Sequence, residues 1–345
     1  ILNDLDWTVM NTRMIRHGQV TLRNAISTIR ARLRLLKSVQ KFLERFFSIR
    51  RLRHLQKNSR FRFLYSTTIF LNLMIKNINK IICIDALEGI NSLPDNSINL
   101  IITSPPYFNC RVYGNETIGR EENPLDYINN IFKYLNPLKR VLHKEGSFYL
   151  NIGDIYFGTK GFSRNKGRYS RKTDKHYLEY KIAKPDGKYL QYKQLLMLPE
   201  RIAIEMQNAG WILRNKIIWE KPNPVPSYSK DRRYPVYEHI FHFVKSKKYF
   251  FDIKKAKELG HHRDVIKNRI EPFKFHQASF PLSLIKPLIE ITSKEGDIVL
   301  DPFMGSGTVA EACILLNRNY IGFEINEDFC NIAKERLEKI YDFQY

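Results

Sequence analysis

The chain has 345 residues, of which 43% are hydrophobic and 13% aromatic, enough to bury one large or two ordinary cores and too apolar for a disordered polymer. A net charge of +22 points to a polyanionic partner, nucleic acid ahead of an anionic membrane surface. The longest apolar run of the N-terminal part, FLYSTTIFLNLMI (63–75), is too short and too polar to span a bilayer, and no signal peptide is recognised. Cys83, Cys110, Cys313 and Cys330 form no C-x-x-C pair, so they read as reduced cytosolic thiols, with no metal site or disulfide framework expected.

The charge is uneven. Residues 1–73 hold 12 Arg and 3 Lys against 3 acidic residues, a net of +12, and the remaining +10 belongs to a part where Lys replaces Arg as the main base. That shift predicts a boundary near Met74: an Arg-rich helical extension over 1–73 and a main domain over 74–345. Within the extension Leu22, Ile26, Ile29, Leu33, Leu36, Leu43 and Phe47 recur by threes and fours, interrupted at Gln40, which predicts a long basic amphipathic helix. Such a helix suits phosphate clamping, a partner helix or docking on the main domain. The alternative is that Met74 is the natural start and the preceding residues lie upstream of it.

After Met74, strand and helix patterns alternate. KIICID (80–85) and INLIIT (98–103) predict strands, Tyr127–His143 a helix, and GSFYLNIGD (146–154) a third strand. LPERIAIEMQNAG (198–210) predicts a helix closed by Gly210, WILRNKIIWEK and YEHIFHFVKS a pair of strands, and 296–340 strand, glycine turn, helix, strand, helix. The alternation predicts an α/β fold, a parallel sheet covered by helices on both faces. Stretches 155–192 and 227–276 break the pattern with interleaved basic residues and aromatic rings, as nucleic-acid-contacting or solvated surface loops would.

Two local patterns carry chemistry. Strand INLIIT runs into Ser104-Pro105-Pro106-Tyr107, where two prolines can donate nothing to a ladder and fix φ twice. The result is either a loop that ends a strand or a stiff platform presenting a hydroxyl, carbonyls and a ring. In IVLDPFMGSGTVAEA, Gly305-Ser306-Gly307-Thr308 separates a strand from a helix, so small residues and unpaired helix amides meet at one point. Glu324 ends the next strand, where a carboxylate can accept from both hydroxyls of a ribose. A nicotinamide dinucleotide or another adenosine-containing cofactor satisfies this pattern, and a tight turn without a ligand is the bland reading.

Taken together, the two patterns closely resemble the amino-methyltransferases of DNA, which methylate cytosine N4 or adenine N6, over residues 76–340. TSPPY (103–107) resembles the family's catalytic motif, with Ser104, Pro105, Pro106 and Tyr107 as the implied catalytic residues. DPFMGSGT (301–308) resembles its S-adenosylmethionine loop, implying Asp301, Phe303, Gly305, Ser306, Gly307 and Thr308 as cofactor residues. Asp85 and Ala86 are similar to the positions near the adenine, and Phe280 in HQASFPLSLI (276–285) to those around the methionine end. IIWEKPNPVP (217–226) resembles the target-base pocket. The catalytic motif precedes the cofactor loop, as in the permuted β group.

The resemblance implies a Rossmann-like S-adenosylmethionine-dependent methyltransferase with a mostly parallel sheet of about seven strands, in which 236–245 is antiparallel. It further implies DNA-recognition insertions at about 155–192 and 227–276, double-stranded DNA as substrate, and Arg111, Lys221, Arg232 and Arg233 as DNA contacts. A cognate restriction endonuclease, a monomeric or homodimeric state, a prokaryotic cytoplasmic location and the absence of a metal and of a membrane partner are further expectations. Ser in the first motif position is commoner among cytosine-N4 enzymes, whereas Asp or Asn is usual for adenine N6. An RNA or protein-glutamine methyltransferase, a nicotinamide dehydrogenase and a non-enzymatic DNA-binding protein are the rivals. The dehydrogenase has no use for the proline corner, the glutamine and RNA enzymes usually carry Asn where Ser104 stands, and a dead fold would have lost Ser104, Tyr107 or the glycines.

Overall fold

A computed structural model describes residues 77–109, 118–158, 183–224, 229–270 and 280–343. The chain divides into two units, Ile1–Asn72 and Leu73–Tyr345, and every described residue belongs to the second. The predicted basic helix, Cys110, Arg111 and the middle of the 155–192 stretch lie outside the described residues.

The sheet has eight strands among the described residues: β1 (Lys80–Cys83), β2 (Ile98–Thr103), β3 (Leu142–Ile152), β4 (Ile212–Glu220), β5 (Tyr237–Val244), β6 (Val265–Lys267), β7 (Ile298–Asp301) and β8 (Asn319–Glu324). Their order across the sheet is β1-β8-β7-β2-β3-β5-β4-β6, and only β5 runs against the rest. β2 sits near the middle, and all its residues except Asn99 are buried, which is why its sequence is a near-continuous apolar run. The polar–apolar alternation of a half-solvated strand is absent because both faces are covered.

The helices are α1 (Ala86–Ser92), α2 (Pro124–Leu135), α3 (Leu138–Val141), α4 (Leu198–Asn208), α5 (Ile253–Glu258), α6 (Leu282–Thr292), α7 (Thr308–Leu315) and α8 (Glu327–Phe343). Asp85 caps α1 by accepting from the amides of Leu87 at 2.8 Å and Glu88 at 3.2 Å, and Asn123 caps α2 by accepting from Leu125 at 2.9 Å. Gly210 closes α4 at φ +79°, a conformation that costs glycine nothing.

Three expectations need correction. The sheet has an eighth strand, β6, whose three residues pair with β4 through Ile218↔Val265 and extend the edge. Within the 227–276 stretch, β5 is the antiparallel strand expected over 236–245, with six buried residues, and α5 and β6 follow it. The helix expected over 127–143 is broken at Asn136-Pro137, where Pro137 has no amide to donate and a new short helix starts after it. β3 then begins at Leu142, four residues before the expected Gly146.

From β2 the chain moves outward to β3, and from β7 it moves the opposite way to β8. The carboxyl ends of β2 and β7 thus flank the point where the winding reverses. Open parallel sheets leave a crevice there.

Candidate active site

The two sequence patterns emerge from neighbouring strands at the same edge. β2 pairs with β7 in parallel through Ile101↔Leu300, so Ser104 and Pro302 leave the sheet side by side. One hydrogen bond ties the exits together: buried Thr103 donates its hydroxyl to Asp301 Oδ1 at 2.6 Å. The amide of Phe303 donates to the same oxygen at 3.0 Å. Burial pushes the Asp301 carboxyl up to about 7 against the opposing effect of these two donors. Asp301 is the brace between the two loops.

In the corner, the Pro106 carbonyl accepts from the Tyr127 phenol of α2 at 2.9 Å, and Asn109 donates its amide to the Gly119 carbonyl at 2.8 Å. No donor among the described residues meets the Pro105 carbonyl. Ser104 Oγ donates to Tyr107 Oη at 3.1 Å, and that phenol donates to Glu238 Oε2 at 2.9 Å and to Asn151 Oδ1 at 3.2 Å. Asn151 Nδ2 in turn donates to Glu238 Oε2 at 3.2 Å and to the His239 carbonyl at 3.1 Å. The Lys221 ammonium donates to Glu238 Oε1, forming an ion pair that is largely buried, and lies 4.4 Å from the centre of the Trp219 ring. A Cβ at Gly153 would come within 3.0 Å of the Tyr107 ring, so the glycine lets the ring lie on the strand exit.

On the glycine turn, Gly305 and Gly307 adopt φ of +52° and +84°. The Gly305 amide donates to Glu324 Oε2 at 2.8 Å and the Asn326 amide to Oε1 at 2.9 Å. Burial nevertheless raises the Glu324 carboxyl above the usual carboxylate range. β1 pairs with β8 through Cys83↔Glu324, which brings Asp85 alongside. Asp85 accepts from the Tyr134 phenol at 3.1 Å, and the Tyr134 ring lies 5.8 Å from that of Phe303. Asp85, Ala86, Phe303, Gly305 and Glu324 are thus gathered at the carboxyl ends of β1, β7 and β8.

Other predicted residues are used differently. Ser306 and Thr308 are buried, and their hydroxyls meet Arg336 of α8, whose guanidinium also pairs with Glu311. They hold the loop in place and leave its ligand-facing side to the backbone. Phe280 is buried in the core with Met304 and Leu284. Lys221, expected as a DNA contact, is ion-paired with Glu238. The Arg232 guanidinium lies 3.7 Å from the centre of the Tyr156 ring and donates to the Arg233 carbonyl, while Arg233 itself is exposed. Sequence reading missed Asn151, Glu238, Tyr134 and Arg336; polar residues inside the apolar runs YLNI and YEHIF were the available signal for the first two.

The family model N6_N4_Mtase, a DNA methylase, matches residues 98–335. The chain belongs to this family of DNA methylases. It is 38% identical over 263 residues to the type II methyltransferase M.Cfr9I of Citrobacter freundii, covering 74% of this chain and 86% of that one. It is 37% identical over 275 residues to M.SmaI of Serratia marcescens, covering 75% and 90%. These relatives place it among the amino-methyltransferases of the restriction–modification type.

Among solved structures, the fold is similar to the PvuII cytosine-N4-specific DNA methyltransferase, with a TM-score of 0.58, 21% identity and coverage of 76% and 89%. A putative DNA modification methylase from Thermus thermophilus, solved with S-adenosyl-L-methionine, matches with a TM-score of 0.55, 24% identity and coverage of 75% and 93%. Both confirm the Rossmann-like architecture. The methyl donor of the family is S-adenosylmethionine, and the residues fit it. A carboxylate is fixed at the end of β8 by two backbone amides, a glycine turn permits close backbone approach, and an aromatic pair stands beside Asp85. No helix among the described residues is long and apolar enough to cross a membrane, and no cluster of three or more His, Cys, Asp or Glu among them could hold a metal ion.

Proposed function

We propose that this methylase modifies the exocyclic N4 amine of a cytosine turned out of double-stranded DNA. The observation that carries the reading is the Thr103–Asp301 hydrogen bond, which fixes a corner of oxygen acceptors beside a glycine turn suited to the cofactor. When bound, S-adenosylmethionine supplies an electrophilic methyl group on a sulfonium.

The chain's own task is to make the amine nucleophilic. A cytosine or adenine amine is a poor nucleophile because its lone pair is delocalised into the ring. Acceptors that take hydrogen bonds from the two amine hydrogens favour a tetrahedral nitrogen and an available lone pair. Ser104 Oγ and the Pro105 carbonyl are those acceptors, while the Pro106 carbonyl is already taken by Tyr127. The two prolines hold the acceptors with little reorganisation, so the stabilisation is preorganised for the transition state. Tyr107 stacks on the extruded base. No covalent bond to the base is required, so no thiol takes part.

Glu324 binds the ribose of the cofactor, Asp85 and the neighbouring rings hold the adenine side, and Arg232 and Arg233 meet phosphates. Serine at the head of the motif favours cytosine. Transfer of a tritiated methyl group to DNA, followed by nucleoside analysis, tests the assignment: N4-methylcytosine is expected, and N6-methyladenine as the sole product overturns it.

A further inference from the structure

The polar chain behind the corner has a direction, and Glu238 sets it. A hydroxyl has one proton to give. Glu238, ion-paired with Lys221, is a carboxylate and can only accept. Asn151 spends its amide hydrogens on Glu238 and the His239 carbonyl, which turns its own oxygen toward Tyr107. Both groups facing the phenol on that side are therefore acceptors, and the Tyr107 proton goes to them, at 2.9 Å and 3.2 Å. Tyr107 Oη is left to accept the Ser104 proton at 3.1 Å. Ser104 Oγ then offers a ligand only lone pairs.

We infer that Glu238, held by Lys221, is a positioning residue that polarises the Ser104–Tyr107 chain and so makes Ser104 an obligatory acceptor, matched to an amine and mismatched to a carbonyl. This rests on the proposed function, since it supposes that Ser104 meets the target amine. It supplies base selection by proton direction: an exocyclic amine donates to Ser104, whereas the carbonyl of uracil or thymine at the same place would face a second acceptor. It also gives Lys221 a use in the site, holding Glu238 in place behind a proline-braced turn. Glu238 is 131 positions from Tyr107 in sequence, so the pairing exists only in the fold.

The test is a cycle of Glu238→Gln, Tyr107→Phe and the double variant. Gln keeps the shape of Glu but can donate, which lets the chain reverse. Each single variant is expected to lower kcat at least tenfold, with S-adenosylhomocysteine affinity and KM for DNA within twofold of wild type. The double variant should lie within twofold of the worse single variant, because Glu238 acts through the phenol hydroxyl. Losses that multiply, or unchanged kcat in either single variant, overturn the inference. Should Glu238→Gln fail to fold, Tyr107→Phe leaves the ion pair intact and decides alone: full turnover overturns it.

Urea unfolding of the same four proteins reads the contact without any substrate. A coupling of at least fivefold in the unfolding equilibrium constant is expected between positions 107 and 238, and additive effects overturn the inference. If wild type methylates no DNA, the proposed function falls and takes the role of Glu238 with it, while the unfolding cycle still reports whether the hydrogen-bond chain exists.

Discussion

The two halves of the site are built by opposite means. At the proline corner, side chains do the positioning: Ser104, Tyr107, Asn151, Glu238 and Lys221 form one connected polar chain drawn from β3, β5, the end of β4 and the corner itself. At the glycine turn, the hydroxyls of Ser306 and Thr308 are turned inward to Arg336, and the backbone amide of Gly305 orients Glu324. A reacting amine has to be selected and polarised, which takes specific side-chain oxygens. A cofactor has to be approached closely, which takes a backbone without Cβ atoms. Loss of a corner residue should therefore act on turnover, and loss on the turn side on affinity.

The sharpest break of that contrast is Ser104→Ala. It removes one of two preorganised acceptors, and kcat should fall by about 10²-fold or more with S-adenosylhomocysteine affinity unchanged. Equal losses in both, measured by single turnover and calorimetry, would erase the distinction between the halves. Glu324→Ala should do the reverse. The lost charged hydrogen bonds correspond to roughly 1.5–3 kcal/mol of cofactor affinity, with turnover at saturating cofactor largely kept. Unchanged affinity would remove the ribose assignment.

Asp301, the link between the halves, gives a pH signature. Its carboxyl is raised to about 7 in the folded chain from an ordinary 3.8, so the native state holds its proton more tightly than the unfolded state. This group's contribution to stability therefore falls as pH rises from about 4 to 7 and is level above that window. Urea unfolding across this range should show wild type losing stability relative to Asp301→Asn, and parallel pH profiles would contradict the burial argument. The smallest effect belongs to the periphery. Arg232→Ala and Arg233→Ala should each reduce the salt slope of DNA binding by about one, leaving kcat at saturating DNA unchanged.

What the sequence revealed divides along the same line. The glycine turn and β2 were legible because backbone requirements write themselves locally: glycine for positive φ, a run of apolar residues for a strand covered on both faces. TSPPY was legible as a stiff corner because proline's constraint is also local. The polar chain was not, since Asn151 lies 44 positions from Tyr107 and Glu238 lies 131. Only the register of β3 against β5, Asn151↔Ile240 and Ile152↔His239, brings those side chains to one strand end. The partner of Lys221 was hidden for the same reason: Glu238 lies across the hairpin and meets the lysine only in the fold. β6 escaped because three residues leave no periodicity to read.

Both halves should serve one reaction, with the amine caught between them. A crystal structure of the complex with S-adenosylhomocysteine and its DNA target tests this most directly. The expected result is an extruded cytosine with its N4 within about 3.2 Å of both Ser104 Oγ and the Pro105 carbonyl oxygen, on the side facing the glycine turn. An extruded base whose amine meets neither oxygen would contradict it.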